Sequence, residues 1–475
     1  MKTQSTLTTD YLIVGSGAVG MAFADVIFHE TNCRMVIIDR HHGPGGHWND
    51  AYPFVRLHQP SAYYGVNSKP LGTNSKDKTG LNVGMYERAT SAELVSYYEQ
   101  LMQQFVASGR VQYFPMSDYL GDWDGDHRFR SMMSGEEQTI TVAKKIVDTT
   151  HLNTSVPSTH PPKYAMAEGV RCVPLNDLPR IRHMKIAPSG YVVVGAGKTG
   201  VDACLWLLEN GTPPDAITWI MPRDSWFQNR TKVQPGKEFF EASYGSFAEQ
   251  MEIIAGAASP GDVYAKLEAG EHWLRLDKTV QPSMYHGALM SQSELELLFK
   301  IKNVVRMGRI ERIEHDQIVL ANGTYPTDAN RLYVDCSASA VQFHARTDNT
   351  PVFEGNKITP QFVRTFQPTF SAAFIAHIES NFESEEQKNN LCGAVPMPDK
   401  PVDWLRMHAA NLRNQYRWSK NKALRAWIAK SRLDGFTALA MSVKPWDFKR
   451  ISLLRRYGMN AGPAAANLKK LLTAV

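Results

Sequence analysis

Two stretches of the chain repeat one hydrophobic pattern. Tyr11-Leu-Ile-Val14 is a largely apolar run of strand length, Gly15-Ser-Gly17-Ala-Val-Gly20 follows, and apolar residues then recur at helical spacing from Val19 to Glu30. A second apolar run, Met35-Val-Ile-Ile38, is closed by Asp39. The same order returns at Tyr191-Val-Val-Val194, Gly195-Ala-Gly197-Lys-Thr199-Gly200, a helix through Asn210 striped by Val201, Cys204, Leu205 and Leu208, and the strand Ile217-Thr-Trp-Ile-Met221. Each copy is followed by alternating, hairpin-like sequence that ends in an apolar strand with an acid. These are His127–Arg130, Gln138–Val142 and Lys145–Thr150 in the first, and Arg309–Glu314, Gln317–Leu320, an Asn322-Gly323 turn and Leu332–Ser337 in the second. Gly15 to Asp148 spans 133 residues and Gly195 to Asp335 spans 140, so the copies are halves of one repeated design.

Strand, helix and strand in this order predict an α/β protein with two Rossmann-like dinucleotide-binding domains, each carrying a β-meander, and a helical C-terminal extension. The expected boundaries are 1–165 for the first part of one domain, 187–332 for a second domain inserted into it, 333–400 for the return, and 401–475 for the extension. Residues 225–300 interrupt the second domain with helix-rich, aromatic sequence, a candidate lining for a substrate entrance. The proline-rich stretch Val156–Tyr164 marks a boundary.

The glycines carry the chemistry. Gly15 makes the tight turn, Gly17 lets backbone approach a pyrophosphate, Gly20 lets helix meet strand, and the helix N-terminus supplies partial positive charge. Asp39 stands where an acid accepts ribose hydroxyls, and Arg40 beside it is a candidate adenine-side contact. In the second copy Gly195, Gly197 and Gly200 take the same places, with Thr199 in the first turn of the helix. Met221 replaces the acid and Arg223 follows two residues on. Losing a carboxylate and gaining a guanidinium favours a 2′-phosphate, which predicts NADPH over NADH. The Gly-Lys-Thr is not a phosphate-binding P-loop, because Val192 stands where that motif needs glycine.

Composition narrows the class. The 475 residues are 43% hydrophobic and 21% charged, which excludes a disordered or low-complexity chain. A net charge of +5 over this length does not call for nucleic acid. It is unevenly spread: from Pro401 onward there are 15 Lys and Arg against 3 Asp and Glu, whereas the preceding 400 residues hold 37 against 44. With Trp404, Trp418, Trp427 and Trp446 interleaved, the basic segment is a candidate contact for an anionic membrane or an acidic partner. Five scattered cysteines, with no pair at Cys-x-x-Cys spacing, argue against a disulfide scaffold, and the 15 histidines show no metal-ligand spacing; no metal is expected. Cys336 reads as a core residue. A polar N-terminus and no long apolar run predict a cytoplasmic protein.

Together these residues resemble the two-dinucleotide-binding-domain flavoproteins, and within them the single-component flavin monooxygenases of flavin-containing, Baeyer-Villiger and N-hydroxylating types. The resemblance covers most of residues 8–380. It rests on Gly15–Gly20 with Asp39, on Gly45-Gly46-His47-Trp48, which is similar to their Gly-Gly-x-Trp, on Gly195–Gly200 with Ile217–Arg223, and on Gln367–Ala376, which is similar to their late strand returning to the flavin domain. It implies FAD on the first domain and NADPH on the second. It also implies oxygenation of a small molecule by a flavin C4a-hydroperoxide, with Gly46, His47, Trp48 and Gln59 bordering the flavin. Asn67 resembles an asparagine that lies over the flavin in such enzymes, and Arg56 and His58 fall near their active-site Arg and Asp; these three form the expected catalytic set. The linker lacks the family's Phe-x-Gly-x-x-x-His, which keeps two other readings open. One is an NADPH-dependent flavin oxidoreductase that inserts no oxygen, and the other is a redox-sensing or scaffold protein that binds both dinucleotides.

Overall fold

The computed structural model describes residues 7–181, 188–337 and 350–473. Two parallel sheets carry the repeat. In the first, the strand Leu7–Val14 lies between Met35–Ile38 and Glu137–Asp148, with Val111–Phe114 outside the former and the short hairpin Phe353–Glu354 and Lys357–Ile358 outside the latter. In the second, Tyr191–Val194 lies between Ile217–Ile220 and Leu332–Asp335, flanked by Asn303–Val305 and Arg171–Pro174. The registers coincide: Val14 faces Ile38 and Asp148, and Val194 faces Ile220 and Asp335. Asp39 and Met221 are therefore structural equivalents.

Both glycine turns are set by sterics. A Cβ on Gly20 would lie 2.0 Å from the Gly15 carbonyl oxygen, and one on Gly200 would lie 2.0 Å from that of Gly195. Only hydrogen lets the helices Ala18–Glu30 and Lys198–Glu209 start this close to their strands.

Three expectations need correction. Gln367–Ala376 is not a strand; Pro368–Asn381 is a helix, begun by Pro368 at its first position and by the Ser371 hydroxyl donating to the Gln367 carbonyl, and it is buried against Ala18–Glu30. An apolar run reads alike for a buried strand and a buried helix, and here the alanines and the proline decide for the helix. The second boundary falls after residue 335, since Leu332–Asp335 pairs with Tyr191–Val194 and among the described residues the chain rejoins the first sheet through the hairpin 353–358, with Lys357 opposite Ile146. Likewise Ala165–Met166 pairs with Ile310–Ile313 of the second meander.

The third correction concerns the basic extension. Trp404 and Trp418 are buried, and the Trp418 indole donates to the Leu391 carbonyl at 2.8 Å. Trp427 stacks on His377 and donates to Glu30; only Trp446 faces solvent, 72% exposed. Trp418, Leu424, Ile428 and Leu433 complete the core of the first unit. Trp404, Leu405, Ala464 and Leu468 share a core with Trp226, Trp273 and Tyr285 of the 225–300 insertion. Part of the positive charge meets the chain's own acids: Lys449 pairs with Glu241 and Arg456 with Glu252, where the helix Phe448–Thr473 lies along Phe240–Gly256. The aromatic residues that suggested a membrane belt are thus mostly spent on packing, each large side chain contributing about 1.5–3 kcal/mol when fully buried. Among the described residues no helix is long and apolar enough to cross a membrane.

Candidate functional site

The first glycine turn opens into a cavity of about 2030 Å³. Single-ligand sites run to about 1,000 Å³, so this one has room for two ligands end to end. At the turn, Gly15 sits at φ +99° and Gly17 faces Gly46 so closely that a Cβ on Gly46 would come within 2.9 Å of the Gly17 Cα. Gly45 and Gly46 both have positive φ, at +127° and +57°, which bends the backbone toward the turn before the short helix Gly46–Asn49. These are the demands of a backbone cradle for a dinucleotide.

Asp39 lines the cavity but is 7% exposed, and its acceptors are engaged. Ser16 donates to Oδ2 from N at 2.5 Å and from Oγ at 2.8 Å, and His41 meets Oδ1 through its backbone N at 2.8 Å and Nδ1 at 3.0 Å. Burial raises the Asp39 pKa, but the His41 and Ser16 hydrogen bonds outweigh it and hold the carboxyl below its usual range. The same bond to Asp39, opposed by burial and reinforced by Asp50 at 2.7 Å, pushes His41 up to about 9. With all four acceptor positions filled, a ribose hydroxyl reaches Asp39 only by displacing the Ser16 hydroxyl or the His41 ring. Ser16 and His41 escaped sequence reading because any residue fits their places in the fingerprint. Asp148, at the end of its strand, accepts from Thr150 as Asp335 accepts from Ser337, so the repeat extends to hydrogen bonds.

Arg40, Gly46, His47, Trp48, His58 and Gln59 all line the cavity. Arg40 donates to Asp118 at 2.6 Å, and the Trp48 indole donates to the Tyr64 hydroxyl at 3.1 Å. Burial pushes His47 down to about 4. His58 is pushed down to about 3, by burial first and then by Lys198, Arg230 and Arg88. The His58 Nδ1 accepts from the Leu289 N–H at 3.3 Å, which leaves Nε2–H as the ring's donor. Arg230 fixes the same residue from behind by donating to its carbonyl at 3.0 Å.

The rest of the expected catalytic set is not brought together with His58. Asn67 is absent from the lining; its Oδ1 accepts from Ser431 at 2.8 Å under the extension. Arg56 is exposed, donates to the Arg88 carbonyl, and also lies off the cavity. Nearness in sequence to the Gly-Gly-His-Trp turn does not carry over, because Arg56 points outward toward the Arg88 carbonyl while its neighbours Leu57 and His58 face in, and the loop turns away after Tyr64.

The second turn lies elsewhere. Gly195, Gly197, Thr199 and Gly200 do not line the large cavity, and among the described residues a Cβ on Gly197 would meet nothing within 4 Å. Lys198 pairs with Asp202, whose Oδ2 accepts from the Tyr52 hydroxyl at 2.6 Å. Arg223 makes a two-pronged pair with Asp399, at 2.9 and 3.0 Å, and the His286 Nε2–H donates to the same carboxylate at 2.9 Å. In this arrangement its charge is already matched, and a 2′-phosphate would compete with Asp399 for it.

Beyond the first turn the cavity widens into an aromatic chamber that no local motif announced. One wall is a face of Phe240–Gly256, with Tyr244, Phe247 and Met251; the other is a face of the helix Pro401–Ser419, with Trp404, His408 and Gln415. Cys336 is a buried core residue whose thiol burial pushes well up. Among the described residues no group of three or more His, Cys, Asp or Glu is placed to hold a metal.

Residues 13–66 match the NAD(P)-binding Rossmann-like domain family. Over 473 residues, 99% of this chain and 85% of the relative, the sequence is 46% identical to the uncharacterized protein Rv2000 of Mycobacterium tuberculosis (strain ATCC 25618 / H37Rv), and equally to the uncharacterized protein Mb2023 of Mycobacterium bovis. Among solved structures it is similar to cyclohexanone monooxygenase from Rhodococcus sp. Phi1 bound to NADP+, at 14% identity and TM-score 0.46, covering 79% of this chain and 86% of that one. It is also similar to a flavin-containing monooxygenase from Stenotrophomonas maltophilia (12%, TM-score 0.43, 82% and 100%) and to the bacillithiol disulfide reductase Bdr from Bacillus cereus (12%, TM-score 0.45, 79% and 100%).

Proposed function

The chain belongs to the family of those mycobacterial proteins, and we propose that this member is an FAD-dependent, NADPH-using monooxygenase of a small molecule. The observation that carries the reading is the single cavity that runs from the Gly15–Gly20 cradle to the aromatic chamber. A cavity of this size suits a resident FAD, and the free space over Gly197 among the described residues suits a nucleotide that comes and goes. FAD held there would accept a hydride from NADPH and pass its electrons to oxygen, one atom of which enters the substrate.

The chain's own groups supply binding and orientation. Gly15, Gly17 and Gly46 receive the pyrophosphate against backbone, helped by the N-terminus of Ala18–Glu30. Asp39, with Arg40 at the rim, holds the adenosine end. His58 is kept neutral and offers Nε2–H, a fixed donor that carries no charge into the cavity. Trp48 and Tyr64, joined by an indole-to-hydroxyl hydrogen bond, line the cavity beside the cradle and hold its aromatic wall in place. Gly195, Gly197, Thr199 and Gly200 receive NADPH, with Arg223 as the 2′-phosphate contact.

A second reading, NADPH-dependent flavin reduction without oxygen insertion, is favoured by the linker Val156–Tyr164, which lacks the monooxygenase fingerprint. Stopped-flow absorbance separates the two. Reduction of the yellow protein with NADPH and then addition of oxygen should give a transient oxygenated flavin spectrum. Immediate reoxidation with peroxide release refutes the first reading in favour of the second. Failure of NADPH to bleach the flavin refutes both and leaves the redox-sensing role.

A further inference from the structure

The charges around the chamber are one-sided. The carboxylates that line the whole cavity are Asp39, Asp118 and Asp148, all on strands or strand ends of the first sheet, at the cradle end. Neither the insertion nor the extension contributes a lining carboxylate. The insertion instead contributes Lys232, at the end of the short turn Arg230–Lys232, half-buried and lining the chamber. Among the described residues Lys232 has no hydrogen-bond or ion-pair partner, whereas of the other lining cations Arg364 is matched by Asp434 and Arg40 by Asp118, and Lys422 and Arg425 are exposed.

The opposite wall points the same way. Asn411 and Gln415 project from one face of Pro401–Ser419, and in each the amide oxygen is taken. Thr365 N donates to Asn411 Oδ1 at 3.3 Å, and the Tyr457 hydroxyl donates to Gln415 Oε1 at 3.0 Å. Fixing the oxygens turns the NH₂ groups, which have only donors to offer, toward the chamber. Asn411 is 6% exposed and lines the chamber, and among the described residues its amide nitrogen donates to no protein acceptor, so it is available to a ligand.

An unmatched ammonium and two oriented amide donors, set among aromatic walls, are complementary to an apolar molecule with an anionic oxygen end and opposed to an ammonium. We propose that the chamber binds an apolar carboxylic acid as its carboxylate, with Lys232 as the charge partner and Asn411 and Gln415 as hydrogen-bond donors. This names the substrate class of the monooxygenase reading and rests on it for the word substrate; the binding itself is measured without turnover, so the two fail separately.

The test is isothermal titration calorimetry of the purified protein with three probes on one skeleton: 2-naphthoate, the neutral 2-acetonaphthone and protonated 2-naphthylmethylamine. A charge-assisted pair against a repelled cation predicts naphthoate bound about 10–100-fold tighter than the ammonium. Lys232→Met should remove at least about tenfold of that preference and leave the ketone within about twofold. Gln415→Leu, on a separate element, should weaken naphthoate by about threefold or more. An ammonium that binds as tightly as naphthoate overturns the proposal, as does a folded Lys232→Met protein with unchanged naphthoate affinity.

Discussion

Glu294→Gln removes one charge from a buried cluster that joins the first unit to the insertion. The Glu294 side chain is 4% exposed and receives Arg230 Nη2 at 2.7 Å, Arg88 Nη2 at 3.5 Å and the Ser291 backbone N at 2.8 Å. Burial alone raises its pKa, but Arg230, Arg88 and Lys198 outweigh that and hold it at about 2, against 4.5 when unperturbed. At about 1.4 kcal/mol per pH unit the depression corresponds to about 3 kcal/mol. That agrees with the roughly 3–5 kcal/mol lost when one partner of a buried ion pair is removed. The isosteric glutamine keeps the shape but leaves two buried guanidinium groups without a counter-charge. For 475 residues the unfolding entropy is about 1 kcal/mol per degree, so Tm falls by about 3 °C if the chain melts as one unit, and by more if the second unit melts alone. The folded pKa is depressed, so the stabilisation is complete above about 4.5 and is lost as pH falls toward 2. Thermal melts followed by circular dichroism at pH 7 and pH 3.5 should show a gap between wild type and variant that narrows on acidification. A variant that melts within about 1 °C of wild type at pH 7, or a gap that stays constant, refutes the reasoning.

Three further outcomes are expected. Gly46→Ala places a Cβ 2.9 Å from the Gly17 Cα at a φ of +57°, and the purified protein should carry less than about a tenth of the wild-type flavin by absorbance ratio. His41 has a folded pKa of about 9 against 6.5 unfolded, so its contribution is full below pH 6.5 and lost as pH rises through 9. His41→Asn should abolish that alkaline fall in Tm, and an unchanged profile would show that Asp39 does not depend on it. Arg223→Ala should weaken NADPH far more than NADH in fluorescence titrations, while Asp399→Asn, which frees the guanidinium, should strengthen NADPH; equal effects on both nucleotides would falsify the 2′-phosphate role.

The site was legible in the sequence where function demands a particular backbone and opaque where it demands a direction. Gly46, His47, Trp48, His58 and Gln59, all in the stretch that follows the first unit's second strand, line the cavity. Asn67 and Arg56 came from the same stretch and point elsewhere, since a loop reverses over a few residues without any periodic signal. Arg223 was readable as a cation after the second strand, but not its match with Asp399, which stands 176 residues away. The basic extension was legible as charge and misleading as a surface, because part of its complement, Glu241 and Glu252, lies in the insertion.

By itself the sequence determined the two dinucleotide units. Their turns are closed by contacts within a few residues, such as the 2.0 Å approach that forbids any side chain at Gly20 or Gly200, and such a steric requirement is written at the position that meets it. Only the tertiary structure formed the aromatic chamber. The chamber has one wall from Phe240–Gly256 and another from Pro401–Ser419, segments that meet through shared packing around Trp226, Trp273 and Trp404. Burial rewards any apolar residue of suitable size, so it leaves no motif, and the donors it orients acquire their meaning only when the walls face each other.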